Sequence, residues 1–187
     1  MDTAFFKTVK QSQTIITELM IPSYANFGGK IHGGTLLSLM DKVAYVCAAK
    51  LAGAYSVTAS IDTVDFLHPI EVGDLVSLMA SINYVGKSSM IVGIRIISEN
   101  VKTQKIIHTN TSYFTMVAKD DNNNLVMVPA LMLETPDDIR HFKEAIMRKQ
   151  LKLAYKQEIL KMKGEIDIQK AIRQLENERF MISLQPL

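Results

Sequence analysis

Asn26-Phe27-Gly28-Gly29-Lys30-Ile31-His32-Gly33-Gly34-Thr35, running on into Leu36-Leu37-Ser38-Leu39-Met40-Asp41, is the stretch on which the reading of this chain turns. Four of the nine glycines fall in this one loop, and the loop opens an almost wholly apolar helical run that carries one carboxylate. Glycine lets a backbone approach a ligand closely. A helix N-terminus adds unpaired N–H groups and the positive end of a dipole. Together they suit a phosphate, or an oxygen that gains negative charge during a reaction. Asp41 supplies a second chemical handle.

From residue 35 to residue 50 the apolar positions fall on nearly every face of a helix, which predicts a buried element, and Gly53 is its expected stop. Before it, residues 12–21 read as a strand. After it come four segments rich in Val, Ile, Thr and aromatic residues, over about 56–66, 75–85, 89–100 and 105–117. Pro69, Gly73-Asp74 and Gly86-Lys87 separate them, and Asp120 to Asn124 form a polar turn. One strand, one buried helix and four long strands imply an α+β domain whose antiparallel sheet curls around a central helix. An open sheet edge favours pairing with a second copy.

The composition shifts after Pro136. Residues 137–163 are Lys-, Glu- and Leu-rich with helical spacing, Gly164 is the expected break, and residues 167–179 suggest a second helix. The chain therefore divides into a domain over 1–135 and a charged helical C-terminal extension over 136–187.

At 187 residues the chain can bury a sizeable core. A net charge of +2 gives no warrant for nucleic acid as a partner. One cysteine, Cys47, rules out an intrachain disulfide framework and fits a reducing compartment. Placed deep in the predicted helix, it reads as an inert apolar residue. His32, His68, His108 and His141 are scattered without metal-ligand spacing. No apolar run approaches the length of a membrane span, and the first residues lack the character of a signal peptide. The expectation is a soluble cytoplasmic protein. The glycine loop is not a P-loop, since Gly28-x-x-x-x-Gly33 is followed by Gly34 and not Lys, and no βαβ unit makes it a dinucleotide fingerprint.

Three segments together resemble the hotdog-fold acyl-CoA thioesterases, in the acyl-CoA hydrolase branch with the brain acyl-CoA hydrolases and their short bacterial relatives. They are Asn26-x-x-Gly29-x-x-His32-Gly33-Gly34 followed by Asp41; Val57-Thr58-Ala59-Ser60-Ile61-Asp62-Thr63-Val64-Asp65-Phe66 with Pro69 and Val72-Gly73-Asp74; and Tyr84-Val85-Gly86-Lys87-Ser88-Ser89-Met90 with the later strand Thr111 to Ala118. The match covers about residues 12–132.

The resemblance implies a hotdog fold and hydrolysis of acyl-CoA to free CoA and a carboxylic acid, with no metal or other cofactor. It implies homodimers, assembled further as trimers of dimers. By position, the Gly34 backbone N–H would polarise the thioester carbonyl. Asn26 would orient carbonyl or water, and Asp41 would act as general base or nucleophile. The turn at Gly86, Lys87, Ser88 and Ser89 would meet the nucleotide end of coenzyme A, and Ser60 would border its groove.

Spacing then adds a constraint. Gly34 and Asp41 lie seven residues apart on one helix, which separates them by about 10 Å along its axis. One carbonyl cannot touch both, so the site is expected to form between two subunits, with Asn26 and Gly34 of one facing Asp41 of the other. Leu37, Met40, Ala44 and Ala48 surround Asp41 in the pattern, where an unpaired carboxylate is costly. His32 is expected to be a loop residue held by backbone groups. Two other functions stay open on the residues alone. One is a non-catalytic acyl-CoA sensor. The other is a hotdog dehydratase acting on acyl-carrier-protein substrates, although the Phe-Pro-Gly motif of those enzymes is missing.

Overall fold

The computed structural model describes residues 5–163, 167–175 and 178–183. The chain forms two compact units, residues 1–146 and 147–187. In the first unit the order is β1 (Phe6–Thr8), α1 (Val9–Ser12), β2 (Thr14–Leu19), a 3-10 turn at Pro22–Tyr24, α2 (Gly33–Ala52), β3 (Tyr55–Ile61), β4 (Asp74–Val85), β5 (Ser89–Asn100), β6 (Lys105–Lys119) and β7 (Ala130–Met132). Helix α3 (Pro136–Lys163) follows, and then α4 (Ile168–Gln174).

Helix α2 starts and stops where its terminal residues dictate. His32 caps its N-terminus through its ring, and Gly53 ends it in the left-handed conformation at φ 66°, where a side chain would be strained. Leu36, Met40, Val43, Cys47, Ala48 and Leu51 recur at helical spacing and are buried. They lie on a five-stranded antiparallel sheet of order β2-β4-β5-β6-β3. Alternation along the strands supplies the matching surface. Val76, Leu78 and Ile82 of β4, Val92, Ile94 and Ile96 of β5, and Phe114, Met116 and Ala118 of β6 join the helix residues in one core. This is the helix wrapped by a long sheet that the resemblance implies.

Three expectations are adjusted. The strand predicted over 56–66 ends at Ile61. From there an irregular segment runs beside β6, tied by Asp62 N–H to the Tyr113 carbonyl at 2.9 Å and Leu67 N–H to the Thr109 carbonyl at 3.2 Å. The second helix predicted over 167–179 is confined to Ile168–Gln174, and the expected break at Gly164 lies outside the described residues. Helix α2 is not buried all round within one protomer. Asp41, Lys42, Tyr45 and Val46 form an open face, with Tyr45 and Val46 about two-fifths exposed, at 41% and 37%.

One further pairing joins the ends of this unit: β1 runs parallel to β7, with Lys7 opposite Leu131. Helix α3 begins with a reciprocal cap, Thr135 Oγ1 accepting from Asp138 N–H and Asp138 Oδ2 accepting from Thr135 N–H. Its first turns pack by Ala145, fully buried, and by Phe142 against Tyr84 at 5.2 Å between ring centroids. Among the described residues no helix is long and apolar enough to cross a membrane.

Candidate active site

The glycine loop is folded onto its own backbone. Asn26 N–H donates to the Lys30 carbonyl at 2.7 Å, and Gly29 N–H donates back to the Asn26 carbonyl at 3.0 Å. Gly29 takes φ 75°, which fits the residue type. The Asn26 side chain is oriented by the same turn. Its Oδ1 accepts from Gly28 N–H at 2.9 Å and Lys30 N–H at 3.2 Å. With the oxygen so held, the Nδ2 group is directed away from the turn as a donor. A Cβ on Gly28 would sit 3.2 Å from that oxygen, so glycine there keeps the amide in place.

At the helix start, Gly34 N–H donates to His32 Nδ1 at 2.9 Å. His32 is thus held by the backbone, as expected, and accepting at Nδ1 sets the neutral ring with its proton on Nε2. In the lone protomer the His32 ring occupies the Gly34 N–H, the group that the resemblance assigns to polarising a carbonyl.

Seven residues further along α2, Asp41 is exposed and not surrounded by the apolar residues that its sequence neighbours suggested. Met40, Ala44 and Ala48 turn inward and are fully buried, while Asp41 lies on the open face. It is not unpartnered. Thr58 Oγ1, from β3, donates to Asp41 Oδ1 at 2.5 Å, and the same hydroxyl lies 3.2 Å from Met116 Sδ. The register of β3 against β6 shifts between Thr58 and Ser60. Such a bulge re-aims side chains locally, and here Thr58 stands at its edge, facing the helix. Ser60 follows on the other side of the shift and is half-buried.

Asp41 and Thr58 border a groove of about 620 Å³, lined also by Tyr45, Val46, Tyr55 and Met116. Tyr45 and Tyr55 stand 6.1 Å apart, ring to ring, and Tyr55 is 56% exposed. An apolar wall of this kind beside an edge strand marks a surface built to be covered. Among the described residues no hydrogen bond joins the Asn26 and Gly34 pair to the Asp41 and Thr58 pair within one protomer.

The β4–β5 turn stands apart from both pairs. Gly86 N–H donates to the Ser89 carbonyl at 2.7 Å, and the Ser88 and Lys87 carbonyls accept from Ala118 and Val128 N–H. A Cβ on Gly86 would meet Ser89 Oγ at 2.7 Å, so a larger residue there needs the Ser89 hydroxyl to turn aside. Lys87 is exposed at its tip. Cys47 is buried in α2, and burial pushes its thiol up to about 12, which agrees with an inert role. Among the described residues no cluster of three or more His, Cys, Asp or Glu has the arrangement of a metal site.

Thr58 falls within the second motif, but sequence reasoning assigns it no chemistry. Nothing local marks it, because its partner lies 17 positions earlier in a different element.

Comparison with known proteins places these residues in a family. The Thioesterase superfamily profile matches residues 28–105. Protein VdlD of Helicobacter pylori is 43% identical over 145 residues, covering 78% of this chain and 83% of that protein. A solved apo-hexameric acyl-CoA thioesterase is 35% identical with a TM-score of 0.78, covering 80% of this chain and 96% of that one. The acyl-CoA hydrolase of Staphylococcus aureus, solved with butyryl coenzyme A, coenzyme A and coenzyme A disulfide, is 31% identical with a TM-score of 0.75, covering 86% and 99%.

The Staphylococcus aureus protein has also been solved as single variants with an Asn, an Asp or a Thr replaced by Ala. Along that chain the Asn precedes the Asp by 15 positions, and the Asp precedes the Thr by 17. Asn26, Asp41 and Thr58 have the same separations.

Proposed function

The chain belongs to the hotdog-fold acyl-CoA thioesterases and hydrolyses acyl-CoA to free CoA and a carboxylic acid, and we propose that it does so at a site shared by two protomers. In this reading Asn26 and Gly34 of one chain face Asp41 and Thr58 of the other. The observation that carries it is the Thr58 to Asp41 hydrogen bond. It picks out, from geometry alone, two of the three residue types varied in the Staphylococcus aureus enzyme, at the same separation.

The chemistry follows from what each group can do. The thioester oxygen enters the helix N-terminus, displaces His32 from Gly34 N–H, and takes a second hydrogen bond from Asn26 Nδ2. Asp41 either attacks the carbonyl carbon or removes a proton from the water that does. On the water route the C–S bond then breaks, the CoA sulfur leaves with the electron pair and takes the proton that Asp41 removed, and the acyl group departs as the carboxylic acid. On the direct route the same cleavage leaves an acyl–Asp41 anhydride, which a water then hydrolyses to restore the Asp41 carboxylate. Thr58 holds one carboxylate oxygen, leaving the other turned to the substrate. The step draws on no metal or redox cofactor.

The assembly supplies what one chain does not. Strand β3 is a sheet edge, and the groove beside it exposes Tyr45, Val46 and Tyr55. Pairing through β3 would cover this wall and bring the loop of one protomer to the Asp41 of the next. The hexameric state of the solved thioesterase supports a homo-oligomer, and in this reading its unit is a dimer. At the nucleotide end, Lys87 and the Ser88 and Ser89 hydroxyls are the groups offered to the CoA phosphates, with Gly86 shaping the turn and Ser60 along the groove. A cytoplasmic location goes with this reading.

The test is release of free CoA thiol from acyl-CoAs of graded chain length. Hydrolysis that disappears in Asp41→Ala, with the oligomer mass kept, supports the reading. Tight acyl-CoA binding without thiol release at any chain length would make the protein a sensor instead.

A further inference from the structure

We propose that the C-terminal extension is an anchor that lies on anionic lipid bilayers. The VdlD and apo-hexamer matches extend over only about four-fifths of this chain, 78% and 80%, and the extension differs from the body in charge. The first 146 residues hold 12 Lys and Arg against 14 Asp and Glu, whereas residues 147–187 hold nine against five. A chain with net charge +2 therefore concentrates its excess positive charge in the second unit.

Helix α3 arranges that charge beside an apolar stripe. Met147, Leu151, Tyr155 and Met162 recur at intervals of four, four and seven residues, which places them on one face. They are 53%, 67%, 69% and 64% exposed. Each is followed in sequence by a Lys or Arg: Arg148, Lys152, Lys156 and Lys163. One residue is about 100° around a helix, so the basic side chains at 148, 152 and 156 form a stripe along the edge of the apolar one. One acidic residue, Glu158, falls on the same face one turn after Tyr155, and it accepts a hydrogen bond from Lys161 Nζ, on the edge of the stripe, at 2.9 Å.

An apolar face with a basic flank suits an interface. The apolar side chains enter the boundary between headgroups and acyl chains, and the long basic side chains reach out to lipid phosphates. A tyrosine is at home at that depth. A second copy of the helix fits less well. Arg148, Lys152 and Lys156 bound the stripe on one side and Gln150, Gln157 and Lys161 on the other, so neither edge offers the acidic partners of a paired helix. Nucleic acid would leave the apolar stripe unused. The helix is not apolar enough to span, so the anchor lies on the surface.

The experiment is vesicle flotation of the full-length protein. It is expected to float with vesicles of phosphatidylcholine and phosphatidylglycerol, to stay behind with phosphatidylcholine alone, and to be released by high salt. Leu151→Ser with Tyr155→Ser should lower vesicle affinity by roughly tenfold or more, and Lys152→Glu with Lys156→Glu should do the same. Leu153→Ser with Leu160→Ser, on the opposite side of the helix, should leave it unchanged. Hydrolysis of a short-chain acyl-CoA in solution and the oligomer mass should stay the same in all three, which separates this proposal from the thioesterase reading. Failure of the wild-type protein to float with anionic vesicles overturns it. So does equal loss in the Leu153 and Leu160 variant, or a change of oligomer mass on replacing Leu151 and Tyr155, which would make the stripe a contact between copies.

Discussion

Thr58 on β3 donates its hydroxyl to Asp41 on α2 at 2.5 Å, and this bond ties the sheet edge to the only carboxylate of the central helix. It engages Oδ1, and under the proposed shared site leaves the other carboxylate oxygen for substrate. Removing the hydroxyl while keeping the shape, in Thr58→Val, should therefore lower kcat by about tenfold to a hundredfold, the range of a hydrogen bond to a charged group. Thr58→Ser should restore most of the rate. Steady-state kinetics on both variants check this, and equal loss in Ser and Val would point to packing instead.

Asp41→Asn retains the size and the contact with Thr58 but can neither attack nor accept a proton. Its kcat should fall by roughly 10²- to 10⁴-fold with KM little changed. A Tm within a few degrees of the wild type would show that the loss is chemical.

His32 accepts the Gly34 N–H at 2.9 Å, and under the proposed mechanism substrate takes its place. Its role is then to cap α2, and His32→Ala should cost about 1 kcal/mol in denaturant unfolding, as for other lost N-caps. Turnover should persist, since Gly34 N–H remains and is no longer competed for. A hundredfold loss of kcat would instead place His32 in the chemistry.

The Cys47 thiol is raised to about 12 by burial, so the folded protein holds this proton more tightly than the unfolded chain, whose thiol titrates near ~8.5. Iodoacetamide at mildly alkaline pH should label it only after unfolding. The sign for stability follows: the contribution of the protonated thiol is complete below the unfolded value and drains away as pH rises from there toward 12.

On β6, Asn110 and Ser112 are buried at 1% and 0% exposure, and their side-chain polar atoms have no hydrogen-bond partner among the described residues. A buried polar group without a partner is destabilising by about 1–3 kcal/mol. Asn110→Leu and Ser112→Ala should thus raise the urea midpoint, against the usual direction of core substitutions. A lower midpoint in both would show that these groups are paired in solution.

How much of this could be read beforehand depends on how local each signal is. Helix α2 was legible because a long apolar run with Gly53 behind it is a local pattern. The long strands β4, β5 and β6 were legible because alternation persists over 12 to 15 residues. The pairing of β1 with β7 was not, since three-residue strands carry no period and join opposite ends of the first unit. Asn26, Gly34 and Asp41 stood out as a spaced motif. The placement of Asp41 was misjudged because neighbours one to seven residues away on a helix share only part of its direction; Met40, Ala44 and Ala48 face the core while Asp41 does not. Thr58 was invisible as a partner until β3 was laid beside α2.

The most direct test of the shared site is to mix two inactive chains. Asn26→Ala and Asp41→Ala each remove a different half, so co-expressed with separate tags they form mixed dimers in which one of the two sites is wholly intact. Random pairing then predicts about a quarter of wild-type activity from the mixture, by the symmetry of a two-fold dimer. Activity no higher than that of either variant alone, in a preparation shown by its tags to contain mixed dimers, would contradict a site built from two protomers.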